Sequence, residues 1–245
     1  MHFRVPLLVM SAAMMTACGD DDTTAPVTQS ANVKIIHAIA GANGVDIGVA
    51  GDRPLTGVNF TAVAPAAGGA YLALPAATAL RLRVFLGSAT VIDSTTTLTP
   101  NQNFTVIASG AAAGTGATAP RFILLQDNVT APAAGNIRLR AVHAAAGVGN
   151  VDVHAAAVGA SFSATTRVFA AVPFRGSGAI EVPAGNYQLC VIGAATTPTP
   201  NGSNCAILRT TGAVAAGTVA TAFARDANAP SETAPQLQLT IDRNP

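Results

Sequence analysis

Val33-Lys34-Ile35-Ile36-His37-Ala38, followed by Val45-Asp46-Ile47-Gly48-Val49, decides the fold, because it returns as Leu139-Arg140-Ala141-Val142-His143-Ala144 followed by Val151-Asp152-Val153. In both copies six residues separate the His-Ala pair from the Val-Asp pair. A spacing kept over a separation of roughly a hundred residues indicates duplication of a whole folding unit the size of an ordinary domain.

Working outward, the halves match again at Leu74-Pro75-Ala76 and Val182-Pro183-Ala184, at Phe104–Ala108 and Val219–Phe223, and at Leu124–Asp127 and Leu239–Asp242. Abundant alanine invites a helical reading, but Gly and Pro punctuate the chain and the segments between them alternate and are β-branched. The rhythm predicts strands at 32–38, 45–50, 57–63, 70–74, 80–86, 90–97, 103–109 and 121–127. A second set is predicted at 136–143, 151–156, 166–172, 178–182, 186–193, 204–211, 217–224 and 236–242. The expected fold is all-β, with two tandem antiparallel, immunoglobulin-like β-sandwiches over 32–128 and 136–245. Residues 129–135 form a linker that would let the units either pack or hinge.

The chain opens with His2 and Arg4, an apolar run over 5–15, then Thr16-Ala17-Cys18. A basic start, about 7–15 apolar residues and small residues at the cut make residues 1–17 a secretion signal. The run is too short for a bilayer span of about 20 residues. Met15-Thr16-Ala17-Cys18 resembles a lipobox, which makes Cys18 the expected lipidation site; a simple signal peptide is the alternative. Residues 18–31 are polar and aperiodic, as expected of a disordered tether. The expected location is the cell envelope, anchored to a membrane through Cys18. Gly19 after the cysteine favours the outer membrane over the inner one, facing either periplasm or cell surface.

Removing residues 1–17 takes Arg4 from the 13 basic residues and leaves 12 against 12 acidic ones, so no basic field exists to attract nucleic acid. At 4% aromatic residues and no Trp, the chain cannot supply the aromatic girdles of a membrane barrel. Half of the residues are hydrophobic, but many are alanine, so the cores should be thin for their length.

Cys190 and Cys205 flank a segment, Thr196–Asn204, that the first unit lacks. At the base of a long hairpin they would face each other, and export favours a disulfide worth about 3 kcal/mol; two unconnected buried thiols are the alternative. Alternation places Val33, Ile35 and His37 on one strand face and turns Asp46 and Asp152 away from Val45, Ile47, Val49, Val151 and Val153. His37 and His143 are expected to hydrogen-bond loop backbone, with Asp46 and Asp152 capping turns. A metal or small ligand is the weaker alternative, with Asp152 and His154 as its pair because i and i+2 share a face. No catalytic constellation and no cofactor motif is found: Gly110–Gly116 lacks a surrounding βαβ unit, and Glu181 and Glu232 are not paired across a cleft.

The two His-Ala/Val-Asp runs resemble the opening of an exported bacterial family, the domain of unknown function 4397. Pro183-Ala184-Gly185-Asn186-Tyr187 matches the family's turn before a Tyr-containing strand; Pro75-Ala76-Ala77-Thr78 departs from it. The resemblance implies extracytoplasmic β-domains and brings no reaction. The expectation is a non-enzymatic binding, adhesion or scaffold module that meets an envelope or extracellular protein or a glycan through its sandwich-end loops. A periplasmic ligand- or metal-binding lipoprotein is the alternative.

Overall fold

The computed structural model describes residues 29–66, 70–76, 79–228 and 232–245. The expected signal peptide, Cys18 and most of the tether therefore lie outside the described residues. The first unit contains β1 (Ser30–Ala40), β2 (Val45–Val49), β3 (Asp52–Val58), β4 (Val63–Ala64), β5 (Leu72–Pro75), β6 (Leu80–Leu86), β7 (Ala89–Thr96), β8 (Asn103–Ala111) and β9 (Arg121–Gln126). The second contains β10 (Asn136–His143), β11 (Val151–Ala157), β12 (Arg167–Val172), β13 (Ser177–Pro183), β14 (Gly185–Gly193), β15 (Ile207–Val214), β16 (Val219–Arg225) and β17 (Gln236–Arg243). No helix among the described residues is long and apolar enough to cross a membrane.

Each unit is a two-sheet sandwich. In the first, an inner sheet ordered β4-β1-β8-β9, with β5 also on β1, packs on an outer sheet ordered β3-β2-β6-β7. In the second, the inner sheet β13-β10-β16-β17 packs on the outer sheet β12-β11-β14-β15. Pairing is antiparallel except for one ladder per unit, β1 on β8 and β10 on β16. Those ladders are parallel because the chain between their strands runs through the other sheet, giving the long crossover that parallel neighbours require.

Three expectations need correction. Ser30 and Ala31, assigned to the tether, pair with Pro75 and Leu74 as the start of β1. The strand expected at 57–63 is β3, several residues earlier, and it contains Pro54. Proline removes a ladder donor, which is tolerated here because β3 is an edge strand. Finally, Lys34 pairs with Thr105 and Arg140 with Thr221, so Phe104–Ala108 corresponds to Ala220–Ala224, one residue later than the sequence match suggested.

β1 is apolar on both faces because both are covered. Val33, Ile35 and Ile39 enter the first sandwich core with Val45, Ile47, Leu82, Val84 and Val106. Ile36 and Ala38 instead join Ile107 and Ile123 in a separate cluster with Val142, Ala144 and Phe223 of the second unit. The inner sheets therefore pack face to face, and the shared cluster draws three equivalent positions from each copy: Ile36 and Val142, Ala38 and Ala144, Ile107 and Phe223. An isologous interface of this kind is what an approximate two-fold relation produces.

β1 and β10 point the same way. Near their starts, Lys34 reaches Ile241 and Asp242 at the end of β17. Beyond their ends, Asn228 bonds Asn43, and Arg175 reaches the carbonyls of Ala117 and Ala119 between β8 and β9. Gln29, the linker and Pro245 consequently gather at one end of the molecule. The loops after β1, β3, β8, β10, β12 and β16 gather at the other.

Candidate functional site

The repeated histidines occupy that second end. His37 lies wholly inside, its Nδ1 accepting from the Ile39 amide and its Nε2–H donating to the Ala42 carbonyl at 2.9 Å, so the ring is the Nε2–H tautomer. Burial holds its pKa below the usual histidine value, partly offset by the bond to Ala42. His143 repeats the arrangement, with Nε2 2.9 Å from the Gly149 carbonyl. Each ring meets a phenylalanine edge-on, His37 with Phe60 at 5.8 Å and His143 with Phe174 at 6.0 Å. The imidazole thus ties the loop joining β1 to β2, or β10 to β11, back onto the strand that launches it.

The repeated aspartates hold a neighbouring edge strand. Asp46 accepts from the Gly57 amide at 2.9 Å and lies 3.4 Å from the Arg53 guanidinium. Asp152 accepts from the equivalent Ala171 amide at 2.7 Å and from equivalent Arg167 at 3.2 Å, and adds the Ala195 amide at 3.1 Å. Gly57 and Ala171 both have positive φ, +62° and +48°, where the edge strand bulges. One carboxylate oxygen caps the amide that the bulge frees. Burial pushes the Asp152 carboxyl up, but the Ala171 and Ala195 amides and Arg167 outweigh it and hold the pKa below the usual carboxylate range. Alternation does turn Asp152 away from the sandwich core, yet its carboxylate is buried, because the insert that begins after β14 lies over it.

His154 is buried on the same outer face. The Thr166 hydroxyl donates to the Ser163 carbonyl, so His154 Nδ1 donates to Thr166 Oγ1 at 3.1 Å and Nε2 keeps its lone pair, without a protein donor. The two groups of the predicted ligand pair therefore differ: His154 has a free acceptor nitrogen, whereas both oxygens of Asp152 are engaged. Among the described residues no group of three or more His, Cys, Asp or Glu side chains is placed to hold a metal ion.

Cys190 and Cys205 form a disulfide with a Cα separation of 5.5 Å. It closes the insert against a small apolar cluster of Ala156, Phe162, Cys190 and Ile192 on the outer sheet. The tip is a polar knot in which Thr199 bonds Asn201, Ser203 and Asn204, and Asn204 returns to the Thr197 carbonyl. Thr196, Thr197, Asn201, Ser203 and Asn204 remain exposed on it. The insert is thus a braced surface loop lying on a sheet face and not a free hairpin at the sandwich end.

Sequence reasoning missed the charged part of the interface. Lys34, fully buried, lies 2.8 Å from Asp242 Oδ1 of the other unit. Arg140 Nη1 lies 2.7 Å from Asp127 Oδ1, also of the other unit, and Nη2 lies 3.6 Å from Asp242. Thr105 and Tyr71 donate to Asp127, and Thr221 donates to Asp242. Burial and then the Asp127 charge push the Tyr71 phenol far up, so it stays a donor. The available signal was positional: Lys34 and Arg140 each stand three residues before the motif histidine, facing away from the sandwich core.

The packing and paired motifs define a protein of two fused β-sandwiches whose chemistry-bearing residues mostly hold loops, bulges and the interface. The chain belongs to the family described as domain of unknown function DUF4397, whose model matches residues 31–154. That match takes in nearly all of the first unit, β10 and the first four residues of β11, and contains both His/Asp pairs. No curated protein matches this chain. Among solved structures, the Bacillus anthracis TIE protein is 10% identical and aligns over 85% of this chain and 34% of its own, with a TM-score of 0.24. This chain therefore spans about a third of that protein's length, and the likeness is too slight to bear on function.

Proposed function

We propose that this chain is a lipid-anchored envelope protein acting as a non-enzymatic binding, adhesion or scaffold module. Cys18 carries the anchor, and the binding surface is shared by the loops of both units. The observation that carries this reading is polarity. Residue 29, the linker and the C-terminus lie at one end, while the loops at 41–44, 112–120, 144–150, 173–176 and 226–228 lie at the other. A chain tethered through residues before 29 would display this loop end away from the membrane. The loops are held in place by His37, His143 and Asp226, whose carboxylate accepts from the Ala146 and Gly147 amides. Loops fixed on a rigid scaffold suit recognition because little ordering cost remains on binding. The braced insert adds a second polar surface on the flank.

The test is fractionation with protease shaving of intact cells. Wild-type protein is expected in the membrane fraction and Cys18→Ser in the soluble fraction. Equal distribution of the two would overturn the anchor. Digestion in sealed cells would favour adhesion, and protection until lysis would favour an envelope scaffold. The free Nε2 of His154 favours one further reading, a periplasmic ligand or metal site with Asp152. Titration of the folded, chelator-treated protein with zinc or copper decides it, since that reading requires stoichiometric binding.

A further inference from the structure

We propose that the inner-sheet face of each unit is a self-complementary pairing surface, and that a second copy of this chain is its other partner, reached by exchange of units. Each unit presents the same half-site: a cation on its first strand, a threonine on the parallel strand beside it, and an aspartate at the end of its last strand. Lys34, Thr105 and Asp127 are matched by Arg140, Thr221 and Asp242. The shortest ion pair of each cation crosses to the other unit. The apolar part is equally self-matching, since Ile36, Ala38 and Ile107 meet Val142, Ala144 and Phe223. A surface that carries both halves of its own complement can pair with any copy of itself.

None of these contacts depends on which chain supplies the second unit; the linker alone makes the pairing internal. Arg138 folds the linker back by donating to the Asn128 and Thr130 carbonyls, and Glu181, its ion-pair partner, takes the Ala133 amide. Two chains that exchanged second units would form two interfaces with the contacts of the monomer, so exchange keeps the buried contacts between units and is opposed by the entropy of association and the loss of the folded-back linker contacts. The short linker favours the closed monomer through its high effective concentration. Chains crowded together, or a linker unable to fold back, shift the balance toward the closed dimer.

The experiment uses two full-length variants. Lys34→Glu sets a second carboxylate against Asp242 within its own chain, and Asp242→Lys sets a second cation against Lys34. When the variants are mixed, the first unit of each chain complements the second unit of the other, in both directions. Size-exclusion chromatography with mass detection is expected to show each variant alone at monomer mass and the equimolar mixture as a one-to-one complex of twice that mass. A mixture that stays at monomer mass, while both variants keep their β-sheet circular dichroism, overturns the proposal. Should either variant lose its sheet signal, the wild-type chain with residues 130–134 deleted decides instead. A dimer there supports exchange, and a folded monomer overturns it.

Discussion

Lys34 and Arg140 hold the same place in two copies of one strand, and each has its shortest ion pair with the aspartate of the opposite copy. Two cations and two carboxylates therefore share one buried site with no net charge. Removing one member leaves a charge uncompensated in a low dielectric, whereas removing a matched pair does not.

Asp242→Leu alone is thus expected to destabilise the chain by about 3–5 kcal/mol, and Lys34→Met with Asp242→Leu to recover most of that loss. Urea unfolding of the two single variants and the double variant measures the coupling. Additive losses in the double variant would contradict it.

The two motif aspartates should respond differently despite their shared geometry. Asp152 is buried and answers two backbone amides and Arg167, so Asp152→Ala should cost about 2–3 kcal/mol. Asp46 is partly exposed and answers one amide and a more distant guanidinium, so Asp46→Ala should cost less than about 1 kcal/mol. Comparable losses in thermal unfolding would show that the duplicated clamp is not graded by burial.

Acid should weaken the fold in two stages. His37 and His154 titrate below the ordinary value in the folded chain because both are buried. Above about pH 6.5 they are neutral folded or unfolded and contribute nothing; below it the unfolded chain takes up protons first and stability falls. Asp152 is depressed, and Glu232, bonded by Arg225 and the Asn228 amide, is depressed to about 2. Their contribution is full at neutral pH and drains away as pH drops through about 4 toward the folded values. Unfolding free energy measured from pH 8 to 3 should show both declines, and His37→Asn should flatten the first.

The second core contains unfilled space. A cavity of about 20 Å³ is lined there by Leu139, Ala141, Val153, Leu189, Ala222 and Ala224. In the first unit Ile35 and Val106 occupy the places of Ala141 and Ala222. Ala222→Val should therefore stabilise the second unit by about 0.5–1 kcal/mol, read as a rise in its denaturation midpoint. A fall would mean that the surrounding side chains have already closed the space.

Much of this architecture was legible because strand alternation and Gly/Pro punctuation are local signals. The two sandwiches and most of their strands follow from them, and the Cys190–Cys205 disulfide from the placement of both cysteines at the base of an insert. β3 was misplaced because Pro54 reads as a breaker, and edge position, which excuses it, is a property of the sheet. The crosswise ion pairs were hidden because partners such as Lys34 and Asp242 lie far apart in sequence, and alternation says which way a lysine faces but not what covers it. That Asp152 is buried depended on where the insert folds, which its Thr, Pro and Asn composition does not encode.

Lys34 is the sole lysine of the chain, and its amine is enclosed by the contact between the two units. The protein therefore carries an internal chemical probe. Acylating reagents can reach that amine only when the contact between the two units opens. The rate at which Lys34 is acylated in native buffer is thus a direct clock for separation of the halves, readable by mass in a single peptide without any added label.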